Sequence, residues 1–292
     1  MVKKAIITGD DFGLIPSVNR AIIKAYSQGI LTSTSLMVNM PGFEDALDLI
    51  KGNPGLDVGL HINFLRGRPV LPVKKVRTLT DENGFFISNI FKIITGLYRK
   101  SIDIKHLELE CDAQIRKGLE NGVRITHLNS ERHMHLTGIV YGIIVKLANR
   151  HGISWIRNIN ESPYLPSFIS SPGVILNPGL YKIKILQYLT RRVKRINAEK
   201  SKKTTDYTFG LFATGRMTYE IYARLFNCLN NGTTEIISHP TGIVEDFEKE
   251  LLLQERYDFI PPSQSELVSL SDHRLKDIIQ ANNIKLVDYS NA

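Results

Sequence analysis

The residues of this 292-residue chain most able to do chemistry are two adjacent aspartates, Asp10 and Asp11, in "KAIITGDDFG". His61 lies within "LDVGLHINF", and His239 directly follows the apolar run of "EIISHPTG". Aspartate, glutamate and neutral histidine are ligands for a divalent cation, and three protein ligands with one open position are typical of a catalytic metal site. A second carboxylate can then act as a general base, and a histidine on the opposite side can protonate a leaving group.

A denser group of polar residues lies in "VRITHLNSERHMHL", residues 123–136, and includes three of the eight histidines of the chain within nine residues. Alternate residues of an extended strand share one face. As long as this segment stays extended, we expect its odd-numbered polar residues to point the same way. These are His127, Asn129, Glu131, His133 and His135.

Each of these residues also has an ordinary structural interpretation. Adjacent aspartates after a strand are often helix-start charges or solvated loop residues, and a single histidine is often a core or turn residue. The functional interpretation is favoured because the ordinary one would have to apply four times at the same edge of the fold. The sequence contains no Gly-x-Ser-x-Gly motif of a serine hydrolase and no glycine-rich phosphate loop followed by Lys-Ser/Thr.

Short β-rich runs alternate with segments of helical periodicity along nearly the whole chain. The predicted strands are Ala5–Thr8, Ser33–Val38, Asp57–Asn63, Arg124–Asn129, Ser154–Arg157, Tyr207–Phe212, Glu235–Ser238 and Lys285–Val287. The predicted helices are Val18–Gln28 (with Ser17 as its N-cap), Phe43–Lys51, Asp103–Glu120, Thr137–His151, Thr218–Asn230 and Asp272–Ala281. Such alternation predicts an α/β fold with a mainly parallel sheet.

About eight strands over this length favour an irregular, TIM-barrel-like (β/α) barrel, and the absence of a repeat or linker favours a single domain spanning residues 1–292. In such sheets the catalytic groups collect at the carboxyl edge, where strands end. The polar residues described above follow or end predicted strands, so we expect them to meet there.

The composition fits a globular protein, with 42% hydrophobic and 23% charged residues. No apolar run approaches the ~20 residues needed to span a bilayer, and the N-terminus is too short for a signal peptide. Two distant cysteines, Cys111 and Cys228, fit a reduced compartment. We therefore expect a cytoplasmic protein.

The net charge of +8 comes from one segment. Residues 181–205 carry nine lysines or arginines and one glutamate, so the rest of the chain is balanced and a nucleic-acid-binding surface is not expected. The segment has apolar residues at helical spacing, which predicts a basic helical insert. It is either a surface helix packed on the barrel or a helix that contacts an anionic membrane surface or a lipid-linked substrate through residues 181–203.

Several motifs resemble those of the YdjC-like carbohydrate deacetylases, a family that includes chitooligosaccharide deacetylases and hopanoid-biosynthesis-associated deacetylases. The matching pieces occur in the order of the family and span nearly the whole chain. They are "DDFG" at 10–13, "GILTSTSLMVN" at 29–39, "GLHINF" at 59–64, "THLNSERHMH" at 126–135, "TGRMT" at 214–218 and "EIISHP" at 235–240.

This resemblance implies an irregular (β/α) barrel that hydrolyses the N-acetyl group of an N-acetylglucosamine-type sugar with one divalent metal ion, Mg²⁺ or Zn²⁺. It implies that Asp10 is the catalytic base and His239 the acid toward the departing amine. It also implies that Asp11 and His61 bind the metal. The hopanoid-associated relatives act on lipid-linked sugars, so a lipid-linked substrate and peripheral membrane contact stay open, as does a homodimer.

One departure from the family concerns the third metal ligand. The family motif reads Thr-His-x-Asp-Ser-His-x-His-x-His, whereas this chain has Asn129 in place of the aspartate and Glu131 in place of the histidine after serine. Glutamate is still a competent ligand, so an Asp/His/Glu site is the first hypothesis, and its extra negative charge favours harder cations. The residues expected to bind substrate or to replace Glu131 as ligand are His127, Asn129, Arg132, His133, His135 and Arg216.

Two other functions remain open from the sequence. A barrel whose metal site has degraded at Glu131 could bind glycans or glycolipids without catalysis. A working metal site could instead hydrolyse another bond, such as a phosphoester.

Overall fold

The computed structural model describes residues 2–161, 164, 188, 191, 202–211, 213–257 and 264–292. Within these residues, eight strands form one sheet. The strands are β1 (Lys3–Phe12), β2 (Ser33–Leu36), β3 (Asp57–Ile62), β4 (Ile125–Ser130), β5 (Trp155–Ile156), β6 (Tyr207–Phe209), β7 (Gly232–Ser238) and β8 (Ile284–Leu286). Each coincides with a predicted strand, although the last residue predicted for the sixth, Phe212, lies outside the described residues.

All strand pairs are parallel, in the order β5-β4-β3-β2-β1-β7-β6. One edge of β1 pairs with β7, and its other edge is shared by β8 near its start and β2 near its end. Backbone hydrogen bonds from Ile156 to Lys203 (3.0 Å) and from Thr208 to Asn160 (3.1 Å) join the two ends of the curled sheet. The predicted α/β class and irregular barrel-like fold are therefore confirmed.

Helices connect the strands, as parallel pairing requires. Those within the described residues are α1 (Pro16–Gln28), α2 (Phe43–Gly52), α3 (Ile90–Tyr98), α4 (Ile104–Glu120), α5 (Gly138–Arg150), α6 (Tyr219–Cys228), α7 (Asp246–Gln254), α8 (Ser265–Leu270) and α9 (Arg274–Ala281). The six predicted helices are confirmed. Helix α3 was not predicted because its many β-branched residues and its internal Gly96 disfavour a helix locally.

The predicted N-cap of α1 is wrong. Pro16 occupies the first turn, where its missing N–H costs nothing, and Ile15 is the N-cap residue. Ser17 lies inside the helix, and its backbone N–H donates to Glu248 at 2.7 Å. A carboxylate from α7 thus satisfies the free end of α1 in place of a local cap.

The two faces of the sheet bury different residues. Ala5 and Ile7 of β1 belong to the main hydrophobic core with Ile22 of α1, whereas Ile6 packs with Trp155 and Tyr289 in a small separate cluster. The helices therefore cover the outside of the curled sheet. The cluster around Ile6 fills the part of the interior that lies farther from the carboxyl ends of the strands. Above that cluster the interior is polar.

Two further findings concern expectations about the periphery of the fold. No helix within the described part of the chain is long and apolar enough to cross a membrane. The predicted basic helix falls largely outside the described residues, which include Tyr188, Arg191 and 202–205 of the segment 181–205. The helical insert and its membrane contact stay predictions.

Candidate active site

Asp10 and Asp11 reach the same cavity although they are neighbours on a strand. On a regular strand, successive side chains point to opposite faces. Here the pairing of β1 with β2 shifts register between Gly9 and Phe12, and Asp11 has φ 67°, in the left-handed region. This bulge turns Asp11 back toward the interior, and aspartate is one of the residues that tolerate such a conformation.

Three side chains from three strand ends converge beside the bulge. The Nε2 atom of His61 lies 3.7 Å from Oδ1 of Asp11 and 3.5 Å from Oε2 of Glu131. The ligand atoms of the three residues all lie within 4.8 Å of one another. Two carboxylates and one imidazole are a donor set suited to a divalent cation, so these residues fit the predicted metal ion.

The ring of His61 is held by residues on the neighbouring strands. Its Nδ1 lies 2.8 Å from the amide oxygen of Asn129 and 3.2 Å from the hydroxyl of Ser35. Because the amide oxygen can only accept, Nδ1 carries the proton and Nε2 is left with a lone pair facing Asp11 and Glu131. This is the arrangement in which a histidine binds a metal through Nε2.

The charges of this group influence one another. Burial raises the pKa of Asp11 to about 6, with His61 and His239 opposing the rise. Burial alone would lower the pKa of His61, but hydrogen bonding to Glu131 and the nearby carboxylates raise it instead. Burial alone would raise the pKa of Glu131, yet His61 and the two neighbouring arginines lower it. The buried carboxylates of Asp11 and Glu131 thus both interact with the single imidazole of His61. A cation bound between the two carboxylates would reduce their electrostatic repulsion.

Asp10 is held by a different cation. Its two oxygens receive hydrogen bonds from Nη1 (2.5 Å) and Nη2 (2.8 Å) of Arg157, and the Ser35 hydroxyl donates to Oδ1 at 2.7 Å. Burial alone would raise the pKa of Asp10, but the charge and hydrogen bonds of Arg157 hold it far below its usual range. Asp10 is therefore a fixed, charged carboxylate beside the Asp11–His61–Glu131 group.

A cavity of about 230 Å³ opens above these residues. It is lined by Asp10, Asp11, His61, Ser130, Glu131, Arg132, His133, Leu211, Thr214, Ile237, His239 and Tyr257. The backbone N–H of His239 donates to Glu266 at 2.6 Å, and its buried Nδ1 has no hydrogen-bond partner among the described residues. The cavity thus brings together all five residues predicted to be catalytic or metal-binding.

The expectation of one extended face from His127 to His135 is wrong beyond Ser130. Strand β4 ends there, and Glu131–Leu136 forms a 3₁₀ turn in which Arg132 and His133 have positive φ. This kink keeps Glu131 at the strand end and breaks the alternation that follows it. Arg132 and His133 still line the cavity, and their role as substrate-binding residues or alternative ligands stays a prediction.

The remaining predicted residues lie elsewhere. His127 is buried deep in the interior, stacked on Tyr289 with ring centres 3.9 Å apart. His135 uses both ring nitrogens, toward the Ser130 hydroxyl (2.8 Å) and the carbonyl oxygen of Arg157 (3.2 Å), so neither is available to a metal. Arg216 is exposed and does not line the cavity.

Sequence reasoning missed Arg157, Ser35 and Tyr257. Arg157 is the last residue of a predicted strand, and this position indicates a side chain near the same edge as the other site residues. Arginine is not a metal ligand, however, so the metal-ligand pattern did not include it. Ser35 lies within a strand of small polar residues, and its role depends on contacts with Asp10 and His61 that are far apart in sequence. Tyr257 follows α7, which was not predicted.

Known proteins resemble this chain over nearly its whole length. A family profile described as "YdjC-like protein" matches residues 4–281. A carbohydrate deacetylase of Listeria monocytogenes serotype 4b (strain CLIP80459) is 28% identical over 286 residues, covering 98% of each chain. A carbohydrate deacetylase of Thermoanaerobacter pseudethanolicus is 29% identical over 289 residues, covering 99% of each chain.

A solved structure shares the fold. The crystal structure of a protein from Enterococcus faecalis V583, named as a proposed cellobiose-phosphate cleavage protein, matches with a TM-score of 0.74 at 24% identity, over 99% of this chain and 98% of that one. At this identity the likeness concerns the fold alone. The family profile covers far more than half of the residues, and the chain belongs to the YdjC-like family.

Proposed function

We propose that this protein is a metal-dependent hydrolase that removes the N-acetyl group from an N-acetylglucosamine-type amino sugar. The observation that carries the proposal is the convergence of Asp11, His61 and Glu131 at the floor of a cavity that also exposes Asp10 and His239. Relatives named carbohydrate deacetylases, similar over nearly their full length, support the choice of a sugar amide as substrate.

Asp11, His61 and Glu131 would hold the divalent cation, which supplies Lewis acidity toward the acetamide carbonyl and its attacking water. Two carboxylates with one imidazole favour a harder cation such as Mg²⁺ over Zn²⁺. Either ion remains compatible with the donor set, so the metal is to be identified by measurement.

The remaining residues divide the proton transfers between them. Asp10 is charged and is held in place by Arg157. It accepts a proton from the water while the oxygen of that water attacks the carbonyl carbon of the acetamide. His239 lines the same cavity and donates a proton to the nitrogen as the carbon–nitrogen bond breaks. The products are acetate and the free amino sugar, and the two proton transfers balance.

Acetate release from N-acetylated chitooligosaccharides, measured together with bound metal, tests this function. We expect Asp11→Ala to lose metal and activity together, and Asp10→Asn to keep the metal while kcat falls by about 100-fold or more. Asp112→Ala, which removes an aspartate in a surface ion pair with Arg150, is the matched control and should retain both.

Three results would contradict the proposal. Stoichiometric metal with phosphatase activity and no acetate release would indicate a phosphoester hydrolase. Sugar binding without metal or turnover would indicate a glycan-binding barrel. A near-normal rate in Asp10→Asn would remove Asp10 as the base.

The form of the sugar is a further part of the proposal. The sugar belongs to an oligosaccharide or a glycolipid, and contact of the basic segment 181–203 with an anionic membrane surface would favour the lipid-linked form. Flotation with anionic liposomes compares the protein with a variant in which Arg191, Arg192, Lys194 and Arg195 are replaced by glutamine. Equal failure of both proteins to bind would contradict membrane contact.

A further inference from the structure

Glu235 is a buried carboxylate that the proposed chemistry does not use. It lies on β7, opposite Ile6 of β1 in the sheet register, and its side chain is fully buried in the polar interior below the cavity. It does not line the cavity and is not part of the metal-binding group. Its position beneath Asp10 raises the question of what it does there.

Oε1 of Glu235 makes the contacts with Arg157 and Thr8, and the buried Tyr289 hydroxyl also interacts with this carboxylate. Oε1 accepts from Nε of Arg157 at 2.9 Å and lies 2.7 Å from Nη2 of the same side chain. It also accepts from the hydroxyl of Thr8 at 3.0 Å. Among the described residues, Oε2 has no hydrogen-bond partner. The carboxylate is therefore directed at one edge of the Arg157 guanidinium.

The adjacent edge of that guanidinium, formed by Nη1 and Nη2, faces Asp10. Nη1 and Nη2 donate to the two oxygens of Asp10, so Nη2 bridges both carboxylates. A guanidinium is planar and rigid, and fixing one edge fixes the direction of the other. The orientation of Glu235 is thus transmitted through Arg157 to the Asp10 carboxylate.

The arrangement is costly if it serves stability alone. Asp10, Arg157 and Glu235 are all buried, and together they carry a net negative charge. Arg157 and Asp10 would already form a neutral pair, so a second carboxylate adds a desolvation penalty without completing a charge balance.

We propose that Glu235 is a positioning residue for catalysis: it locks the Arg157 guanidinium, which in turn holds the Asp10 carboxylate in its working orientation. This inference rests on the proposed function, in which Asp10 acts as the base. Glu235 does not touch the substrate or the metal ligands, so its loss should affect turnover and leave binding intact.

Two substitutions of graded severity test the lock. Glu235→Leu keeps a similar volume but removes the hydrogen bond to Nε and the ion pair with Nη2 of Arg157. We expect kcat for acetate release to fall by about 100-fold, the scale of a 1 Å misplacement. Glu235→Gln keeps an acceptor oxygen at the same place, so we expect partial rescue, with kcat about 3- to 10-fold below the wild type. In both variants KM should change less than about 2-fold and bound metal should be unchanged.

Thr8→Val is the matched control because it removes the other hydrogen bond to Oε1 and leaves Arg157 in place. We expect its kcat to stay within about 2-fold of the wild type. Circular dichroism shows whether each variant folds. If Glu235→Leu does not fold, the kcat of Glu235→Gln alone tests the positioning role.

A double-mutant cycle separates a lock acting through Arg157 from an independent effect. In an Arg157→Gln background, Glu235→Gln should lower kcat no further. Multiplicative losses would overturn the proposal, as would a folded Glu235→Gln variant within 2-fold of the wild type or one as impaired as Glu235→Leu. Absence of acetate release from the wild-type protein would instead contradict the proposed function itself.

Discussion

Oδ1 of Asn129 lies 2.8 Å from Nδ1 of His61, and this contact decides which nitrogen of the ring faces the two carboxylates. The amide oxygen accepts the Nδ1 proton, so the Nε2 lone pair points at Asp11 and Glu131. The amide nitrogen of Asn129 lies 3.4 Å from Oδ1 of Asp10 and donates to it. One side chain therefore contacts both the metal-binding group and the proposed base.

Replacing Asn129 tests this double contact. Asn129→Leu removes the nearer acceptor for Nδ1 and leaves only the Ser35 hydroxyl at 3.2 Å. We expect metal affinity to fall about 10- to 100-fold, as for other residues that orient a histidine ligand. Asn129→Asp keeps the acceptor and should retain most of the metal affinity. Titration calorimetry with Mg²⁺ and Zn²⁺ measures both variants, and equal affinities in wild type and Asn129→Leu would contradict the orienting role.

The site was largely predictable where it depends on strand order. Asp10, His61 and His239 each end or follow an apolar run, and parallel strands bring such positions to one edge. The pattern therefore predicted a shared sheet edge for five residues, and all five line one cavity. His127 also faces the interior, as its odd position predicts. The periodicity of a strand does not indicate how far a side chain lies from the cavity at the strand ends, so it could not exclude His127 from the site.

The rest depends on backbone conformations and contacts that local patterns do not encode. The left-handed residues Asp11, Arg132 and His133 determine how the strand ends turn, and no periodicity predicts them. Arg157 is separated from Asp10 by 147 positions, and the two residues meet only because the ends of β5 and β1 face each other across the interior of the sheet. Long-range pairs of this kind follow from the closed fold.

The third metal ligand distinguishes this chain from the family motif and is directly testable. Glu131→Ala removes one of two carboxylates from the group, and we expect metal affinity to fall by about 10-fold or more. His133→Ala is the matched control because His133 lines the same cavity but is not part of the group. Unchanged metal content in Glu131→Ala, with loss in His133→Ala, would show that the ligand assignment is wrong.

Metal binding should weaken in acid. A ligand must lose its proton to bind, and the pKa of Asp11 is raised to about 6 by burial. As the pH falls through 6, protons compete with the cation; Asp11 alone should lower the apparent affinity about 10-fold between pH 7 and pH 5. The raised pKa of His61 adds to the same trend. Calorimetric titrations at several pH values measure this, and a constant affinity over that interval would contradict it.

Gly13, directly after the aspartate bulge, should be required for both stability and metal binding. Its φ is 87°, and a Cβ there would lie 2.5 Å from the backbone oxygen of Met37, whose N–H donates to Phe12 to join β1 and β2. Gly122 is the matched control, since its φ is 80° but nothing lies within 4 Å of a Cβ. Gly122→Ala should cost about 1 kcal/mol of unfolding free energy, from backbone strain alone.

Gly13→Ala adds a backbone clash and should cost more than about 2 kcal/mol of unfolding free energy, with a loss of bound metal that Gly122→Ala does not show. Urea unfolding and metal analysis measure both variants, and equal unfolding midpoints would show that the bulge tolerates a side chain at residue 13.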